Sequence, residues 1–150
     1  AIALMEKANR LFSVRGEALQ IIQLGEMEAL VVAKRLNAQA VVVDERVTRL
    51  LIEAPELLER TFFRRLHARV RTDVAALREF RKAVTGITVI RSVELVAVAF
   101  ELGLLDEFIT QVPNARKELL ESVLWGVKLH GASVSEEEIA HIVKSELKGA

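Results

Sequence analysis

Three acidic residues stand where metal chemistry is assembled in many folds. Glu26 and Glu28 open a helical segment in Gly25-Glu26-Met27-Glu28-Ala29-Leu30, and Asp44 ends the apolar run Ala40-Val41-Val42-Val43 ahead of Glu45-Arg46. In an open α/β sheet, ligands collect beyond the carboxyl ends of the strands, and an Asp that closes a β-branched run sits there. Clustered carboxylates repel one another unless a hard cation neutralises them. Mg²⁺ or Mn²⁺ takes such oxygen ligands while keeping several waters. The same residues also have a plainer use, because acidic side chains favour the first turn of a helix and Asp is a preferred N-cap.

A second group could handle a polyanion. The chain is neutral overall, 21 basic against 21 acidic residues, yet the charges are segregated. Between Arg60 and Lys82 lie Arg60, Arg64, Arg65, Arg69, Arg71, Arg78, Arg81 and Lys82 against Asp73 and Glu79, a net of 8 − 2 = +6. From Ser92 to Ala150 there are 5 basic and 10 acidic residues, a net of −5. One surface that attracts phosphates and another that repels them would orient a nucleic acid; a solvated pair of helices answering acids elsewhere is the alternative. Phe62, Phe63 and Phe80 interleave with the basic block. They could stack bases, although phenylalanine at helical spacing more often belongs to a core.

The elements that must position these groups follow from periodicity. Ala1 to Phe12 is an amphipathic helix in pattern. Leu19 to Leu24 reads as a strand ended by Gly25, and its short length leaves a helix open. Glu28 to Leu36 has helical spacing and ends near Asn37, and Ala38 to Val43 is a strand. A helix follows through Val47, Leu50 and Ile52, and Pro55 marks a break. From about Glu56 the pattern stays helical as a hairpin over about 56–85, interrupted near Arg71-Thr72-Asp73. Ile87 to Ile90 is the third strand, and Ser92 with Glu94 begins the helix Val93 to Leu102. Pro113 opens a helix that runs to His130 and stops at Gly131. Ser135 with Glu138 is a capping box for a last helix whose stripe is Ile139, Ile142, Val143 and Leu147. Alternating strands and helices predict an α/β fold with a small parallel sheet flanked by helices, a helical basic insertion, and C-terminal helices over about 113–148.

Other chemistries lack their residues. With 150 residues, 51% of them apolar, the chain suits one domain with a sizeable core. It has no cysteine, hence no disulfide scaffold or thiolate metal site, which fits a reducing compartment such as the cytoplasm. No apolar run is long enough to span a bilayer and no signal-peptide pattern opens the chain, so it reads as soluble. His67, His130 and His141 are not spaced as a zinc pair, the seven glycines form no phosphate-cradling loop, and no serine lies in a nucleophile elbow. Trp125 reads as a packing anchor.

The order Gly25-Glu26-Met27-Glu28-Ala29-Leu30, Ala33, then Ala40-Val41-Val42-Val43-Asp44-Glu45-Arg46 resembles the second half of a PIN domain. Ile87 to Ser92 with Leu95 to Ala99 and Gly103-Leu104-Leu105 resembles that family's last strand and helix. The likeness covers roughly Leu24 to Leu105. It implies an α/β/α sandwich, often a homodimer, that cuts RNA with Mg²⁺ or Mn²⁺ held by about four acidic residues. By position, Glu28 and Asp44 match the family's catalytic metal ligands and Glu26 is a neighbouring ligand; Arg46 would contact phosphate, and the basic block, an insertion relative to the family, would steer RNA through Arg60, Arg64, Arg65, Arg69 and Arg71. The metal would orient and deprotonate a water for in-line attack on a phosphodiester. An antitoxin-type protein partner is a further implication. The family's opening strand ending in Asp has no counterpart here, so the resemblance implies a truncated or reduced relative. Two other uses stay open: a non-catalytic module that binds nucleic acid or protein, and a dimerisation unit built on Val93 to Leu102 and Leu119 to Leu129.

Overall fold

The computed structural model describes residues 1–148. The chain forms two compact units, residues 1–89 and residue 90 onward, each with its own hydrophobic core.

The first unit runs α1 (Ile2–Ala8), β1 (Phe12–Val14), β2 (Glu17–Ala18), α2 (Leu24–Arg35), β3 (Val41–Val42), α3 (Arg46–Glu53), α4 (Pro55–Leu66), β4 (Val70–Thr72) and α5 (Val74–Val84), and β5 (Val89–Ile90) spans the boundary. Strands β2, β1 and β4 form a sheet in that order, and β3 pairs with β5 in a second one. The three-stranded sheet is antiparallel, with Phe12 opposite Thr72, Ser13 opposite Arg71 and Val14 opposite Val70. This sheet lies outside the expected one, whose strands over 38–43 and 87–90 pair as β3 and β5. The segment Leu19 to Gln23 is not a strand, and the reason is Asn9. Its buried side chain donates from Nδ2 to the Ile22 carbonyl at 3.0 Å and accepts from the Ile21 and Ile22 amides at 2.8 Å each. Backbone groups that a neighbouring strand would have satisfied are bound to a side chain instead.

Helix α1 is shorter than its apolar pattern because Phe12 leaves the helix to begin β1. Arg15 (φ 54°) and Gly16 (φ 91°) then form a two-residue turn with both central residues left-handed, the geometry that suits a tight hairpin. The expected helical hairpin over 56–85 is interrupted by β4. His67, at φ 48°, ends α4, and Asp73 caps α5 by accepting from the Ala76 amide at 2.9 Å. Pro55 stands at the first position of α4, where its missing N–H costs nothing. Leu11, Phe12, Met27, Leu30, Leu51, Leu58 and Phe80 are fully buried in this unit, and the Phe62 ring meets Phe12 edge-on at 5.5 Å.

The second unit holds α6 (Ser92–Glu101), a 3₁₀ turn (Asp106–Phe108), α7 (Ala115–Leu129) and α8 (Glu136–Glu146). Its three α-helices pack on Val93, Phe100, Leu120, Leu124, Ile139 and Val143. Ser135 Oγ accepts from the Glu138 amide at 3.1 Å, half of the expected capping box. The Glu138 carboxylate binds the Arg91 guanidinium instead, tying α8 to the start of α6. Trp125 is half-buried against this core with the Lys128 ammonium 4.7 Å above its ring. Among the described residues, no helix is long and apolar enough to cross a membrane.

Candidate nucleic-acid interface

The junction between α4 and β4 concentrates the basic residues. Glu59 and Phe63, and likewise Arg60 and Arg64, lie four residues apart on α4, so each pair shares a face of the helix. After the left-handed turn at His67 the chain returns along the helix as β4. Glu59, Arg60, Phe63 and Arg64 then line a hollow of ≈260 Å³ with Arg69 and Val70. A second hollow of ≈610 Å³ shares Arg69 and adds Arg15, His67 and Arg71, and a third of ≈470 Å³ shares Arg15 and Ala68 and reaches Glu17 and Leu66. The shared walls make one groove, bounded by the β1–β2 turn on one side and α4 on the other.

The groove is electropositive because its arginines lack internal partners. Among the described residues no ion pair involves Arg15, Arg60, Arg64, Arg69 or Arg71. Arg81 and Lys82 are answered within the unit, by Glu56 at 3.3 Å and Glu79 at 3.2 Å. The hydrogen bond and charge of Lys82 hold the Glu79 carboxyl below the usual range. Five arginines without ion pairs therefore line the groove together with Glu17 and Glu59, so a bound anion displaces no existing bridge.

Of the three phenylalanines in the basic block, one is free to stack. Phe62 and Phe80 are buried, whereas Phe63 is 56% exposed beside Arg60 and Arg64. Arg46, the first residue of α3, and Arg65 on α4 are exposed but are not among the lining residues of the groove. Arg60, Arg64, Arg69 and Arg71 are brought together there. Two members were missed in the sequence. Arg15 joins from a hairpin whose signal was the Arg15-Gly16 pair between short apolar stretches. Glu59 was masked by its surroundings: Thr72 Oγ1 donates to its Oε2 at 2.7 Å, a contact from helix to strand with no local signature.

The acidic residues lie elsewhere in the same unit. Glu26 is half-buried in the first turn of α2, with an Oε2 that is buried and has no hydrogen-bond partner. Glu28 is exposed, and residues two apart on a helix do not face each other, so these two carboxylates diverge. Asp44 is half-buried just beyond β3. Glu45 rather than Asp44 caps α3, accepting from the Val47 amide at 2.9 Å and the Thr48 amide at 2.6 Å. Among the described residues no group of three or more His, Asp or Glu side chains is placed to hold a metal ion. Comparison with known proteins gives no match to a protein family, to a curated protein or to a solved structure.

Proposed function

We propose that the first unit binds single-stranded RNA in the groove between the β1–β2 turn and α4. The observation that carries this reading is the set of five arginines without ion pairs along the groove, three of which line one hollow with the exposed Phe63 ring. The guanidiniums take phosphate oxygens bidentately, and Phe63 offers a face on which an unstacked base lies. The test is fluorescence anisotropy with a short labelled single-stranded RNA over a range of salt. Affinity falls steeply as salt rises, with a slope of about −0.7 per phosphate neutralised. Arg64→Glu with Arg69→Glu weakens binding by at least about tenfold and flattens the slope. Affinity that ignores both salt and these substitutions refutes the reading.

A second reading, Mg²⁺- or Mn²⁺-dependent cleavage of the bound strand, is favoured by one observation: Asp44 lies two residues past the end of β3 in the unit that carries the groove. It requires Glu28 and Asp44 to find further oxygen ligands. Its test is cleavage of single-stranded RNA by the protein with Mn²⁺. Loss of cleavage in Asp44→Asn supports it, and equal cleavage by that variant rejects the assignment.

A further inference from the structure

The hollow between α4 and β4 is built differently from the rest of the groove. At ≈260 Å³ it is the smallest of the three, below the ~300–1,000 Å³ typical of drug-sized ligand sites, and its scale suits one flat ring system. Its walls combine the exposed Phe63 ring, three arginines and the Glu59 carboxylate. That carboxylate forms no ion pair among the described residues, although Arg60, Arg64 and Arg69 line the same hollow. It is held from the side by the Thr72 hydroxyl, which donates to Oε2 at 2.7 Å.

Against the Glu59 carboxylate a phosphate is repelled, so phosphates go to the arginines and not to that wall of the hollow. What fits is a neutral ring that stacks on Phe63 and donates hydrogen bonds to a carboxylate. An ionised carboxylate is acceptor-only and takes two parallel donors. Among the unmodified bases only guanine presents two adjacent donors, N1–H and the N2 amine, on its Watson–Crick edge. Adenine and cytosine each place an acceptor beside their amine, and uracil flanks its single N–H with two carbonyl oxygens, so each brings a lone pair against the carboxylate.

We propose that this hollow is a guanine-reading subsite: one unstacked guanine lies on Phe63 with its N1–H and N2 amine donating to Glu59, while Arg60, Arg64 and Arg69 hold the flanking phosphates. The proposal rests on the groove being the RNA-binding surface and names what that surface selects. Glu59 supplies the preference, Phe63 supplies stacking for any base, and the arginines supply affinity without sequence.

The experiment compares a short all-uridine RNA with the same strand carrying one central guanosine, inosine or adenosine, by anisotropy at one fixed low salt. Wild-type protein binds the guanosine strand about tenfold more tightly than the uridine strand, because a good bidentate pair discriminates on that scale. Inosine, which keeps N1–H and lacks the amine, falls between them, and adenosine gives no gain. Glu59→Gln, an exposed position where the amide oxygen still accepts from Thr72, abolishes the guanosine preference, so that the guanosine and uridine strands bind that variant equally. Phe63→Ala weakens every strand. Equal affinity of wild-type protein for all four strands overturns the subsite, as does a guanosine preference that survives Glu59→Gln. If the strands bind equally and Arg64→Glu with Arg69→Glu weakens them all, the groove stands and only the subsite falls. If no strand binds, both fall together.

Discussion

Asn9 shows how one residue decides local structure. Its amide satisfies three backbone groups that lie 12 and 13 positions away, and a buried donor or acceptor left unsatisfied costs about 1–3 kcal/mol. Asn9→Ala should destabilise the first unit by about 2–4 kcal/mol in urea-induced unfolding, whereas an effect near zero would mean that water replaces the side chain without loss. Arg15 acts through charge from a constrained position. Its backbone at φ 54° suits Asn nearly as well as any residue except Gly, so Arg15→Asn keeps the turn and removes one cation. That substitution should weaken RNA binding two- to fivefold, about the share of one phosphate contact, with an unchanged thermal midpoint. Neither residue declares its role in the sequence, because Asn9 works across the chain and Arg15 lies some distance from the basic block it joins.

At the scale of elements, what could be read in advance was what is encoded locally. Pro55 opening α4, Gly131 at φ 108° after α7 and Ser135 capping α8 are each a matter of a few adjacent residues, and each stands where its chemistry demands. The short strands were not legible. Phe12–Val14 and Val70–Thr72 are three residues each, too brief to show a period of two, and their pairing joins positions far apart in the chain. The contact between α6 and α8 was also beyond a local reading. There, burial and then the neighbouring Glu101 push the Glu146 carboxyl above its ordinary 4.5. A carboxyl whose pKa is raised by folding contributes stability that is present below about 4.5 and is lost as pH rises through the folded value. Glu146→Gln should therefore raise the thermal midpoint near pH 7 and leave it unchanged near pH 4, as followed by circular dichroism. A gain of equal size at both values would show that the carboxyl pair is not its source.

At the scale of the molecule, the groove and the acidic positions Glu26, Glu28 and Asp44 belong to the first unit, and the second unit is a three-helix assembly with its own core. Leu124 is fully buried in that core, so Leu124→Ala should cost about 2–5 kcal/mol there and leave RNA affinity unaltered. The segregation of charge along the chain was visible in the sequence, but not which arginines were free. Two cations of the basic block are answered by acids within the unit, and that follows only from which helices meet. The central claim is that unpaired arginines make this groove a phosphate-binding surface. It is tested most directly by the salt dependence of single-stranded RNA affinity for wild-type protein and for Arg64→Glu with Arg69→Glu. A steep decline of affinity with salt in the wild type and a weaker, flatter response in the variant are the predicted result, and matching slopes and affinities for the two proteins would contradict it.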